Sequence, residues 1–170
     1  MRWRAFPLHP ETPEEGRLLE DLFHASPEKI RSMVEHLSTT AESFGLPFGP
    51  RTKTYNSRLA QELGLWAEDR GCGKAFHQAA FKAYFVDGLN LAKHSVLLDL
   101  VREVELPEDE AEIVLAQRSY RSAVDRDWDE SRLRGITAVP SFTMGQHKLV
   151  GSQPFESLAE LVQLYGAEAR

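Results

Sequence analysis

A lone thiol, six imidazoles and one strand that opens on a proline are the parts of this 170-residue chain best placed to do chemistry. Cys72 stands in "GCGKAF", at the start of a helix-like stretch and close to Lys74; a helix N-terminus and a nearby ammonium both favour a thiolate. No second cysteine exists to resolve an intermediate, which excludes an intrachain disulfide, a CxxC pair and a multi-cysteine zinc site. A structural or simply free thiol is the plainer reading. His9, His24, His36, His77, His94 and His147 are scattered without an HxxxH or HExxH pair, so neither a metal site nor a cofactor is expected. His77 lies in the aromatic-rich run "KAFHQAAFKAYF" and is a candidate to face a substrate cleft, set against the commoner satisfied or solvated histidine.

The proline-led strand is "GITAVPSFTMG", from Gly135 to Gly145. Proline has no N–H to give a ladder, so it sits at the start, edge or bulge of a strand. About 5–6% of X–Pro bonds in folded proteins are cis, and a trans Val139–Pro140 bond opening an ordinary strand is the reading from these residues alone.

The elements that must position these groups can be read from periodicity and punctuation. "RWRAF" alternates, with Trp3 and Ala5 on one side, and predicts a short strand. "PEEGRLLEDLF" predicts a short helix weakened by Gly16. The clearest helix is "SPEKIRSMVEHLSTTAESFG", with Ser26 as cap, Pro27 at the first helical position and Ile30, Met33, Val34 and Leu37 as a buried stripe. Asn56 caps "NSRLAQELGLWAEDRG", which places Leu59, Leu63 and Trp66 on one face; Pro107 opens "PEDEAEIVLAQ", and a further helix runs roughly from Tyr120 to Arg134. Strand character returns in "PSFTM" and "KLVG", a hairpin through Gly145, Gln146 and His147, before the amphipathic "PFESLAELVQLYG". A lone N-terminal strand cannot satisfy its own backbone groups, so "RWRAF" is expected to pair with the hairpin. The result is an α/β sheet holding a large helical insertion.

Composition narrows the partners. Hydrophobic residues are 42% and charged residues 27%, the balance of a globular protein, and no apolar run approaches the roughly 20 residues of a membrane span. The opening "MRWRAFPLHP" has no apolar segment of a signal peptide, which predicts a cytoplasmic protein. A net charge of −6 gives no footprint for nucleic acid. The one basic cluster, "GPRTKTY", reads as a solvated loop rather than a binding surface.

With "GITAVPSF" leading into a hairpin and a last helix, the chain resembles the C-terminal part of DsbA-like members of the thioredoxin superfamily, most closely the FrnE type of dithiol-disulfide isomerase-like proteins. "WRAFPLHPETPEEG", "YNSRLAQELGLWAEDRG", "AYFVDGLNL" and "LVGSQPFESL" extend the likeness in order along nearly the whole chain; Ser131 and Ser141 depart from the usual Ala and Thr. The resemblance implies a thioredoxin-like, DsbA-type sheet in residues 1–13 and 135–170, a helical insertion in 14–134, and no N-terminal βα unit. It also implies that Pro140 is cis and that Ala138, Val139 and Pro140, with His77 as a further candidate, hold an extended protein or peptide thiol or disulfide substrate.

In this family a strand, a Cys-x-x-Cys or Cys-x-x-Ser motif and a long helix precede the "RWRAFPLHP" strand, whereas here Met1 stands directly before it. A disulfide oxidoreductase or isomerase fold with no catalytic residue of its own, and so no dithiol activity, is the expectation. Two other readings stand beside it: a glutathione-dependent isomerase of the 2-hydroxychromene-2-carboxylate type, and a peptide-binding module without redox chemistry. Absence of the family's central strand would leave strand edges open, closed either by "RWRAF" pairing directly with "PSFTM" or by self-association.

Overall fold

The computed structural model describes residues 2–166. They form two compact units, one of residues 9–125 and one of residues 2–8 with 126–166.

In the 9–125 unit, β1 (Arg17–Leu18) pairs antiparallel with β2 (Lys53–Thr54), in the register Arg17 to Thr54. Helix α1 (Leu19–Phe23) follows β1 directly, so only the last part of the predicted "PEEGRLLEDLF" helix forms. The reason lies in the β1 partnership, which takes the backbone of Arg17 and Leu18 into a ladder. Helix α2 (Pro27–Ser43) starts as its sequence requires: the Ser26 hydroxyl accepts the Lys29 N–H at 3.3 Å and Pro27 occupies the first turn. Its apolar stripe is only partly covered. Ile30 is buried and Met33 and Val34 are half-buried, while Leu37 is exposed.

The core belongs to helices α3 (Arg58–Asp69), α4 (Gly73–Phe85), α5 (His94–Glu103) and α6 (Glu108–Gln117), which pack in the pairs α3 with α4, α4 with α5, α5 with α6 and α3 with α6. Leu63 and Trp66 from α3, Phe76 and Ala83 from α4, Leu97 and Val101 from α5 and Leu115 from α6 meet there, each fully or almost fully removed from solvent. Burial of one such large side chain contributes about 1.5–3 kcal/mol. Gly64 faces α4 closely; a Cβ there would lie 3.1 Å from the His77 ring. Asn56 sets the start of α3, accepting the Arg58 N–H at 2.9 Å and donating to the carbonyls of Pro10 and Thr12.

A buried carboxylate crosses this core. Glu62 on α3 is paired with Arg58 one turn earlier at 2.8 Å and with Arg118 beyond α6 at 2.7 Å. Burial alone would raise its pKa, but the hydrogen bonds from Arg118 and Arg58 outweigh burial and hold the carboxyl below its usual range. Arg58 also reaches Asp125 at 2.7 Å.

Helix α7 (Arg121–Leu133) begins in this unit and continues into residues 126–133. There it joins β3 (Ser141–Met144), β4 (His147–Val150) and α8 (Phe155–Leu164). β3 and β4 form an antiparallel pair with Ser141 opposite Val150 and Met144 opposite His147, so the turn is the two residues Gly145 and Gln146, and His147 belongs to the strand. Gly145 has φ +54 and Gln146 does not have positive φ, the pattern of a turn that favours Gly at its first central position. A Cβ on Gly145 would also lie 2.3 Å from the Tyr165 ring.

"RWRAF" is not a strand, and it does not pair with the hairpin: β3 and β4 form a sheet of two among the described residues. The backbone is spent elsewhere. The Ala5 N–H donates to Asp127 at 3.0 Å, while Arg4 pairs with Asp127 at 2.7 Å and Glu130 at 2.8 Å, both on α7. A carboxylate has taken the place of a neighbouring strand as acceptor.

Candidate functional site

The candidate site is the free edge of β3 and the residues that lead into it. The Val139–Pro140 peptide bond is cis. The Gly151 N–H donates to the Pro140 carbonyl at 2.8 Å, which fixes the alternation of the ladder. In an antiparallel pair, residues that exchange backbone bonds alternate with residues whose N–H and C=O point away. Pro140, Phe142 and Met144 therefore turn toward β4, and Ser141 and Thr143 direct their N–H and C=O outward. No strand meets that edge among the described residues.

The approach to the edge is short and solvent-facing. Val139 is 44% exposed, and Ala138 and Pro140 are exposed beside it. The Ser141 hydroxyl donates to the Ala138 carbonyl at 2.7 Å, closing a tight loop around Pro140. That bond commits the hydroxyl as a donor to backbone, with no base against it. The Lys148 ammonium ties β4 to the Gly135 carbonyl at 3.0 Å. At the far end of the hairpin the Tyr165 hydroxyl meets the Gln146 N–H at 3.1 Å and His147 Nδ1 at 2.7 Å, with the two rings edge-on 5.6 Å apart.

Of the four predicted substrate-binding residues, Ala138, Val139 and Pro140 are neighbours at this edge. His77 falls in the 9–125 unit, on α4, where burial lowers its pKa and its ring lies 6.5 Å from that of Phe81. Cys72, half-buried, is the residue that precedes the first turn of α4, in the same helical unit. No group of three or more His, Cys, Asp or Glu side chains able to hold a metal occurs among the described residues. The edge can accordingly accept an extended backbone; its own residues offer no thiol for covalent exchange.

"GPRTKTY" is not the solvated loop its composition suggests. Arg51 and Lys53 are half-buried and line a small cleft with Tyr55, Tyr84 and Gly88. Segment 49–54 is fastened to α4 and its end, for the Gly49 N–H donates to Phe85 and the Arg51 guanidinium lies 4.3 Å from the centre of the Tyr84 ring. The sequence carried the two cations but not the helix end against which they fold.

No helix among the described residues is long and apolar enough to cross a membrane. The family described as "DSBA-like thioredoxin domain" matches residues 1–163. No curated protein matches the chain. Among solved structures, a probable DsbA oxidoreductase from Streptomyces coelicolor is similar at 24% identity with a TM-score of 0.87, over 98% of this chain and 76% of that one. A candidate protein disulfide isomerase from Nitrosomonas europaea is similar at 17% identity with a TM-score of 0.65, over 82% of this chain and 74% of that one. At these identities the two likenesses concern the fold.

Proposed function

From the premise that the chain belongs to the DsbA-like thioredoxin family, we propose that it holds an extended polypeptide thiol or disulfide substrate at the β3 edge. Ala138, Val139 and Pro140 guide the substrate, and the outward N–H and C=O groups of Ser141 and Thr143 pair with it as an added strand. The observation that carries this reading is the unpaired outer edge of β3. On this reading residues 1–13 and 135–170 are the thioredoxin-like portion, 14–134 the helical insertion, and the FrnE type the nearest branch of the family.

A non-catalytic peptide-binding role is the second reading, favoured by the single cysteine, which cannot form a dithiol pair within these 170 residues. In both readings the chain alone does not reduce insulin. Pairing of β3 with a second copy is the competing use of the same edge.

The test is titration of a fluorescent, cysteine-containing extended peptide by polarisation, beside the same peptide N-methylated at alternate residues. Saturable binding of the first and loss of binding with the second is expected. Thr143→Pro removes an outward N–H without removing a ladder donor and should weaken binding about tenfold, the effect of one well-placed hydrogen bond left unmade. Equal binding of both peptides would defeat the strand-addition reading, and insulin reduction by the unaccompanied chain would count against both readings.

A further inference from the structure

The cleft beside the end of α4 lies within the 9–125 unit and shares no residue with the β3 edge. We infer that Arg51 and Lys53 form a binding site for a carboxylate, built on the stacked Tyr84 and walled by Tyr55 and Gly88. Two cations line this one cleft, half-buried, and no carboxylate of the described residues pairs with either. Seven other arginines of this acidic chain do have such partners, at Arg4, Arg58, Arg70, Arg102, Arg118, Arg132 and Arg134. Asp87 is next to the wall residue Gly88 in sequence, yet it is exposed and pairs with neither cation.

The guanidinium is held rather than free. Arg51 Nη2 donates to the Tyr84 hydroxyl at 2.5 Å, and the guanidinium lies over the rings of Tyr84 and Phe85 at 4.3 and 5.0 Å. The same phenol oxygen shares a hydrogen bond with Thr54 Oγ1 at 2.9 Å, and Thr54 is buried. One edge of a fixed guanidinium fork is thereby left for a ligand, and a planar fork matches a planar carboxylate.

Surrounding charge separates a carboxylate from a phosphate. The cleft holds about 70 Å³, room for a single small anionic group. Phosphate sites commonly draw on a helix N-terminus or a nest of backbone N–H groups. Here the adjoining helix end is the C-terminus of α4, at Phe85, whose partial negative charge favours the arginine and disfavours a dianion.

The experiment follows backbone amide shifts of the full chain by NMR at constant ionic strength, with chloride as reference. Acetate, triglycine, triglycine amide and inorganic phosphate are added in separate titrations. Saturable shifts confined to residues 50–55 and 84–88 are expected with acetate and triglycine and not with triglycine amide. Tighter binding of triglycine than of acetate would mark the carboxyl terminus of a peptide as the natural ligand; equal binding would mark a free small carboxylate. Lys53→Gln should weaken binding about tenfold, the loss for one charge-assisted hydrogen bond, while leaving the Arg51–Tyr84 stack in place. Arg51→Lys keeps the charge but loses the fork and should also weaken it. Shifts no different from those with chloride, tighter binding of phosphate, or full binding by Lys53→Gln would overturn the assignment.

Discussion

The helical unit and the hairpin unit differ most in what they bury. Every buried hydrophobic residue of the described chain, from Leu19 to Val124, lies within residues 9–125. In the other unit the residues buried are Asp127 and Ser131, while α8 buries none of its side chains and leaves Phe155 79% exposed. Yet "FESLAELVQL" has the apolar periodicity of a core-facing helix, and β3 presents an unpaired edge. One region is held by apolar packing. The other is held by directed bonds: Asp127 to Arg4 and Ala5, Lys148 to Gly135, and Tyr165 to the hairpin tip. The contrast teaches that amphipathic pattern and burial are separable.

The contrast can be broken most directly at Phe76. Phe76→Ala should cost about 3–5 kcal/mol in urea unfolding followed by far-ultraviolet circular dichroism, as for a fully buried aromatic. A cost below about 1 kcal/mol would deny that the helical core carries the stability. Acid should expose the next contribution. Because Glu62 is held below its usual range when folded, its stabilisation is present above the unfolded value near 4.5 and is lost as pH falls below it. Glu62→Gln should flatten that acid limb of the stability curve, and an unchanged limb would place the acid sensitivity elsewhere.

In the hairpin unit, Gly145→Ala forces a side chain into positive φ and against Tyr165, and should cost about 1–3 kcal/mol of local stability, read from hydrogen exchange of the β4 amides. Exchange rates equal to the parent would remove Tyr165 as the clamp. Phe155→Ala is the smallest expected effect, within about 0.5 kcal/mol in the same urea assay, since the side chain has little burial to lose. A loss approaching that of Phe76→Ala would mean α8 is covered in solution and would erase the difference between the units. Outside this series, Tyr120 is pushed up to about 12 by burial and by the Asp69 carboxylate 2.7 Å away. Stability tied to its proton is present below pH 10 and falls as pH rises from there toward 12, so ultraviolet titration should show one tyrosine ionising late, and Tyr120→Phe should remove it.

Much of the helical unit could be read in advance because its signals are local. Ser26 and Pro27 announce α2 within three residues, Pro107 announces α6, and Leu63 with Trp66 define the inner face of α3. What could not be read depends on distant partners. The alternation in "RWRAF" spans too few residues to separate a strand from an extended segment, and the decision lies with Asp127, some 120 positions away. β1 and β2 are two residues each, with no period to detect. At the sites the same division holds. The proline-led edge was visible as a motif, whereas the Arg51 cleft exists only because Gly49 and Tyr84 bring a turn-rich stretch onto a helix end.

The bond from Arg4 to Asp127 closes a ring of chain between residues 123 positions apart. The entropy of closing so long a loop grows only as the logarithm of its length, and doubling it adds about 0.6 kcal/mol. Lengthening or trimming the enclosed helices therefore adds almost nothing to the cost of closing this ring.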